Sequence, residues 1–480
     1  MTATSRRKFI KTSSAAVAAL AISKSASVWA DASGPVEVWA TFRDQRHAKG
    51  DPLEWKQTTG VAADAIVINP AEERQQMRGF GAALTDGSCY LLSLLTESEK
   101  QALLPELFAP DQMALNICRT CIGSSDFSRS VYSFDDSAEP DPELTKFSIE
   151  HDREYILPVL REARRINPDL FLFSSPWSPP GWMKANGSIL GGSMRWHYFD
   201  PYANYLLKFL AAYKDAGVNI NAITVQNELD ADQDGRMPAC IWPQEFEIEF
   251  IKNHLGPLMR KEAPDTKLWL LDHNYNLWGR AIDELSDPGV YEYVDGVAWH
   301  YYTGEPSAMT RVHEAFPQKN AYFSEGSTIA YHSPEYLTEW AKWGETLNGI
   351  ANNWARSITA WCMALDEDGK PNVGPYSCGG MVTIDSSSHK VTRGGQYWAF
   401  AHFSRHVKRG AMVIATNGLG DITSNEPSGA ISHSAFRNPD GSVVVVLANR
   451  GPERRVQLLS GSNALEMDLA ADSVHTLKWV

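Results

Sequence analysis

Eight short apolar runs of strand type, separated by longer stretches of helical pattern, constrain this chain more than any other feature. They read QQMRGFG at 75–81, ALNICR at 114–119, LFLFSS at 170–175 and AITVQN at 222–227, then KLWLLD at 267–272, DGVAWH at 295–300, AYFSE at 321–325 and SITAWCM at 357–363. One helix between them is marked at both ends. Asp200 is placed as its cap and Pro201 at its first position; Tyr205, Leu206, Phe209, Leu210 and Tyr213 form one stripe, and Gly217 follows its end. Eight strands alternating with helices predict a (β/α)8 TIM barrel, with a doubly wound open sheet as the competing α/β solution. The polar strand ends favour the barrel. Arg119, Asn227 with Glu228, Asp272 with His273, His300, Glu325 and Trp361 would then gather at one rim, where this fold builds its sites.

At 480 residues the chain is longer than a barrel requires. VEVWATF and AIVINP lie ahead of residue 70, and after about residue 405 the pattern turns to alternating β-type runs. NPDG between two such runs is a hairpin signal, and MDLAADSVHTLKWV adds further alternation. The expected architecture is therefore a barrel at 73–404 flanked by an antiparallel β-sandwich domain built from both chain ends, 31–72 and 405–480.

The first 30 residues read as an export signal. Arg6 and Arg7 precede Phe9 and Lys11, and the mild apolar run from Ala15 to Ile22 is far shorter than the ~20 residues of a membrane span. The arginine pair resembles the twin-arginine type, which implies a bacterial protein delivered to the periplasm or secreted, cut after Ala30 and without a stable membrane anchor. This segment holds five of the 44 basic residues and no acid, leaving 39 against 58 acids. So acidic a body points away from nucleic acid as partner and towards a neutral ligand. All six cysteines lie beyond the signal, and Cys118-x-x-Cys121 has no second pair at zinc spacing. Buried thiols are the default, and neither a metal nor another cofactor is expected. Oligomeric state is not legible.

Glu228 follows the fourth run and Glu325 ends the seventh. Either alone suits a capping or ion-paired residue. Paired carboxylates on facing strands suit glycoside hydrolysis, where one protonates the leaving oxygen while the other attacks the anomeric carbon or activates water. Asn227, His300, Tyr301 and Tyr302 beside the pair point to that chemistry. The loop SSPWSPPGWMKANGS, stiffened by Pro176, Pro179 and Pro180, offers Trp177 and Trp182 either to a sugar face or to internal packing. Other motifs fail: GFGAAL has Leu84 where a dinucleotide fingerprint needs Gly or Ala, and HEAFP lacks its second His. A non-catalytic carbohydrate-binding protein on the same barrel is the reading from another class, and it would be missing one carboxylate.

RGFGAALTDGS, RTCIGSSDFS, SSPWSPPGWMKANGS, ITVQNELD, VAWHYY and FSEG occur in an order that resembles the glucosylceramidase-like enzymes of glycoside hydrolase family 30, which are clan A retaining β-glycosidases. The resemblance runs from about residue 75 to the C-terminus. It implies a (β/α)8 barrel with a β-domain from both chain ends, and metal-free retaining hydrolysis of a β-linked glucoside or oligosaccharide. By motif, Glu228 resembles the acid/base and Glu325 the nucleophile. Asp86, Trp177, Asn227 and Trp361 resemble residues that hold the sugar, Tyr302 the nearby tyrosine, and Arg119 and His300 the polar surround of the nucleophile. These roles need a low pKa at Glu325, a raised one at Glu228, and carboxyl groups about 5 to 5.5 Å apart. The resemblance implies β-glucosidase or glucosylceramidase-like action, with endo-β-1,6-glucanase or β-xylosidase as alternatives. Three departures bear on the leaving group: Leu229 where the family has Pro, Cys362 where glucosylceramidases have Asn, and a loop at 231–243 without a close match.

Overall fold

A computed structural model describes residues 32–328, 334–417 and 431–480, so the export signal expected at 1–30 lies outside the described residues. Each of the eight runs contributes a strand to one parallel sheet. The strands are β1 Gly79–Ala82, β2 Ile117–Cys121, β3 Phe171–Ser175, β4 Ala222–Thr224, β5 Lys267–Asn274, β6 Val294–His300, β7 Asn320–Glu325 and β8 Ala355–Ala360. They pair in chain order from β2 to β8, β8 pairs with β1, and a parallel bridge between Ala83 and Arg119 joins β1 to β2. That ring is a barrel and rules out the open sheet. The lower interior is filled by Phe171, Phe173, Trp269 and Tyr322, with the rings of Trp269 and Tyr322 stacked at 4.0 Å. Burying each such side chain stabilises the barrel by about 1.5–3 kcal/mol.

The marked helix spans Phe199–Asp215, slightly earlier than its cap signal implied. Asp200 does not cap it; its carboxylate pairs instead with His254 Nδ1 at 2.5 Å. The far end is as expected. Gly217 takes φ +82°, the Val218 amide reaches back to the Tyr213 carbonyl at 2.8 Å, and both of those side chains are fully buried.

The second domain draws on both chain ends. Pro35–Phe42 pairs antiparallel with Ser473–Trp479, and Ile66–Gln76 lies between Met412–Asn417 and Arg454–Ser460. The first predicted run thus divides, with 75–76 finishing a strand of this domain and 79–82 opening the barrel. NPDG closes the hairpin between Ile431–Arg437 and Val443–Asn449. Helix Trp340–Asn352 packs on that hairpin, and a Cβ at Gly344 would meet Val474 Cγ2 at 2.8 Å, so only glycine allows the approach. Helix Gly395–Ser404 completes the seam. There His402 bonds Thr41 and Thr476, each at 2.8 Å, and His47 Nε2 meets His406 Nε2 at 2.9 Å. All six cysteines are free and buried, and among the described residues no helix is long and apolar enough to cross a membrane.

Candidate active site

Side chains two apart on a strand share a face. In five barrel strands the inward face turns from apolar to polar in one such step: Ile117 to Arg119, Phe173 to Ser175, Ala222 to Thr224, Ala298 to His300 and Tyr322 to Ser324. All five polar members converge on Asp272, near the end of β5. Its Oδ2 accepts from Arg119 Nη2 at 2.7 Å, Ser175 Oγ at 2.6 Å and Thr224 Oγ1 at 2.8 Å. Its Oδ1 accepts from Ser324 Oγ at 2.7 Å and meets His300 Nε2 at 3.0 Å. Burial alone would raise the Asp272 pKa, but the Arg119 charge and these donors hold it far below the carboxylate range. Among the predicted site residues Asp272 was absent; only its place at a polar strand end marked it.

Arg119, fully buried, spreads this order upward. Beyond Asp272 it donates to Asn227 Oδ1 at 2.7 Å and to Glu325 Oε2, and its guanidinium lies 4.7 Å from the Trp177 ring. Glu325 ends β7 and accepts from Tyr302 Oη at 2.8 Å. Glu228 stands just past β4 in left-handed backbone, φ +52°, a conformation rare outside glycine and found where function holds strain. Its amide donates to the Asp272 carbonyl at 3.1 Å. Its carboxylate meets His300 Nδ1 at 3.3 Å and accepts from Gln233 Nε2 at 3.0 Å. His300 Nδ1 also lies 3.8 Å from Glu325 Oε1, so one imidazole faces both carboxylates.

The electrostatics reverse one expectation. Burial pushes Glu228 up, but the His300 hydrogen bond and the charges of His273, His300 and Arg119 outweigh it, and its pKa is lowered. His300 moves the other way. Burial opposes its charge, yet Glu325, Asp272 and Glu228 together raise it to about 9. Both shifts favour the proton on His300 over Glu228.

Trp177, Asn227, Glu228, Tyr302, Glu325 and Trp361 line one cavity of about 740 Å³, with the two indoles stacked at 5.0 Å. Asp86 is not part of its lining. Its carboxylate is taken by Tyr155 Oη at 2.7 Å, His151 Nε2 at 2.8 Å and the Arg129 amide at 2.8 Å. It holds in place the loop that carries Asp126, and Asp126 does line the cavity. Asp126 is 6% exposed with Oδ1 unpartnered, and burial and then the charges of Glu325 and Glu228 raise its pKa well above the usual range. SSDFS belongs to one of the resembling motifs, but nothing local separates its Asp from that of LTDG. A larger concavity, about 890 Å³ between the Phe199–Asp215 helix and residues 262–266, carries none of these groups.

The unmatched loop reaches the chemistry. Gln233, bonded to Glu228, also accepts from Tyr376 Oη at 2.6 Å, and Asn274, Asn276, Thr303 and Met237 continue the same mouth. Leu229 is fully buried, and its carbonyl holds the Trp242 amide at 2.7 Å. Beneath, the buried Lys184 joins two loops, donating to Ser178 Oγ at 2.9 Å and to the carbonyls of Ile189 at 2.9 Å and Ala239 at 2.5 Å. Burial lowers its pKa to about 8.

The model of the glycosyl hydrolase family 30 TIM-barrel domain matches residues 77–407, and that of the family 30 beta sandwich domain matches 410–477. An endo-1,6-beta-D-glucanase of Neurospora crassa is 34% identical, over 84% of this chain and 83% of its own. The mouse lysosomal acid glucosylceramidase is 30% identical, over 86% of this chain and 83% of its own. Among solved structures, an endo-beta1,6-glucanase superposes with TM-score 0.83 at 31% identity, covering 93% of this chain and 99% of that one.

Proposed function

The chain belongs to glycosyl hydrolase family 30, and from that membership we propose that it hydrolyses β-glucosidic bonds with retention, Glu325 acting as nucleophile and Glu228 as acid/base. The observation that carries this reading is the pair of carboxylates facing one imidazole across the cavity. The 3.3 Å and 3.8 Å spans to His300 Nδ1 bring both carboxylates to one imidazole, and the retaining course is taken from the family resemblance. Glu325 attacks the anomeric carbon as the glycosidic C–O bond breaks, and the departing oxygen takes a proton from Glu228. Water then gives its proton back to Glu228 and its oxygen displaces Glu325. His300 Nδ1, one hydrogen bond from Glu228, first passes it that proton and takes it back when the cycle ends. Asn227 supports a role at the sugar 2-hydroxyl, the unpartnered Asp126 oxygen suits a hydroxyl donor, and the stacked indoles suit the apolar sugar face.

The polar mouth formed by Gln233, Asn274, Asn276, Thr303 and Tyr376 favours an oligosaccharide leaving group over a ceramide. With 1,6-glucanases among both the sequence relatives and the solved structures, that makes β-1,6-glucan the preferred substrate class, ahead of simple β-glucosides, glucosylceramide and β-xylosides. Export by the signal at 1–30 belongs to the same proposal and would bring the enzyme to polysaccharide outside the cytoplasm. Proton NMR of products from β-1,6-glucan, aryl β-glucoside, aryl β-xyloside and glucosylceramide tests it. Glucan cleavage with the β-anomer appearing first is expected. Initial α-anomer, or inactivity on every member, would overturn it.

A further inference from the structure

We propose that Glu228, His273 and His300 form a three-ligand site for a divalent transition metal, zinc above all, and that filling it stops turnover by capturing the Glu228 carboxylate. The inhibitory half rests on the acid/base reading of Glu228; the binding half does not. One ligand atom from each residue lies within 4.8 Å of the other two. Glu228 Oε1 is 3.3 Å from His300 Nδ1 and 3.8 Å from His273 Nδ1. A tetrahedral ion with bonds of ~2.0–2.1 Å spaces its ligands about 3.4 Å apart, so small side-chain shifts complete the sphere, and the proton on His300 passes to solvent as Nδ1 takes the metal.

Each imidazole is already oriented as a ligand. The far nitrogen of His300 is held by Asp272 Oδ1 at 3.0 Å, and that of His273 by Asp230. A carboxylate behind a ligating histidine is the arrangement that fixes ring and tautomer in metal sites. His273 supplies the independent sign. Its side chain is only 6% exposed, and Nδ1 has no hydrogen-bond partner although it lies 3.8 Å from Glu228 Oε1. An unsatisfied buried nitrogen is costly, and here a metal would satisfy it. The three residues stand on neighbouring strands, at β5, at the end of β6 and just past β4, so the backbone sets their spacing. Two imidazoles and one carboxylate suit zinc, nickel or copper, whereas calcium and magnesium demand oxygen ligands. Glu228 and His273 both line the cavity, which leaves a fourth position for water or a sugar hydroxyl.

Calorimetric titration of the chelator-stripped protein with zinc chloride tests binding, and initial rates on the best substrate with and without zinc test inhibition. One zinc per chain is expected, with turnover falling at least tenfold at saturation and returning on addition of EDTA. His273→Gln should weaken zinc binding by tenfold or more. Asp230→Asn, a half-exposed change unlike a core substitution, should weaken it several-fold in a chain with unaltered thermal unfolding. Absence of zinc binding to the parent chain, or equal affinity in both variants, would overturn the site. Stoichiometric binding with undiminished turnover would overturn the inhibitory half. Zinc binding by a chain that cleaves no glycoside would leave the site standing and sink the hydrolase reading instead.

Discussion

Two sets of buried or half-buried histidines in this molecule are driven in opposite directions. At the barrel rim, His300 is buried among three carboxylates and rises to about 9. At the seam with the β-domain, His47 falls to about 3 and His475 to about 4, and His402 and His406 also lie well below the ordinary imidazole range. Burial opposes charge in both places. At the rim the anions overcome it. At the seam the neighbours are hydroxyls, other imidazoles and the cations Arg405, Lys408 and Lys478, which add to it. Burial depth therefore does not decide an imidazole's charge; the sign of its company does.

The largest expected effect comes from removing the anion that faces both the proposed acid/base and the substrate. Glu325→Gln should lower kcat by about 10⁴-fold or more while sugar binding, followed by calorimetry, persists. Unchanged turnover would end the nucleophile assignment. Asp272→Asn strikes the anion that five strands share. Leaving Arg119 short of a buried partner should cost about 3–5 kcal/mol, read from chemical unfolding. A loss below 1 kcal/mol would mean that Asp272 is not the keystone of the rim.

The seam histidines carry a pH prediction. Its histidines have folded pKa values below the unfolded ~6.5, so the unfolded chain binds more protons as pH falls through that value. Their stabilising contribution is complete above about pH 6.5 and declines below it by about 1.4 kcal/mol per histidine per pH unit, until the folded pKa values are reached. The denaturant midpoint should fall between pH 7 and 5, and a flat midpoint would refute this account. A smaller effect separates two aspartates. Asp126→Asn should reduce kcat/KM by about 10- to 100-fold through lost sugar contacts, whereas Asp86→Asn should act mainly on thermal stability. The reverse pattern would restore Asp86 to the sugar site.

The barrel was legible because its strands are short apolar runs whose polar ends carry the chemistry. Glu228 and Glu325 stood out for the same reason, each at the limit of such a run. Asp272 carried only half a signal: its strand end was visible, but its importance comes from Arg119, Ser175, Thr224, His300 and Ser324 meeting in space. Asp86 and Asp126 look alike in sequence, each in a short polar turn after a strand, and only the fold of 125–129 over the Asp86 helix start sets one against the cavity and the other behind it. The raised pKa expected for Glu228 followed from pairing it with Glu325 alone. His273, Arg119 and His300, brought from three other strands, reversed the sign. Asp200 was read as a cap from its place before Pro201, yet a histidine 54 positions away claims its carboxylate.

Lys184 bears on any redesign of this mouth. Its ammonium ties the Pro-Trp loop to the loop at 231–243 through the Ala239 carbonyl, in a place water does not reach. The segment that carries Gln233 to Glu228 is thus no free cassette to be exchanged for a relative's. A graft that fails to return a carbonyl to that spot strands a cation in the wall and loosens both loops together. Successful transplants of leaving-group preference should therefore carry the lysine and its acceptor as one unit.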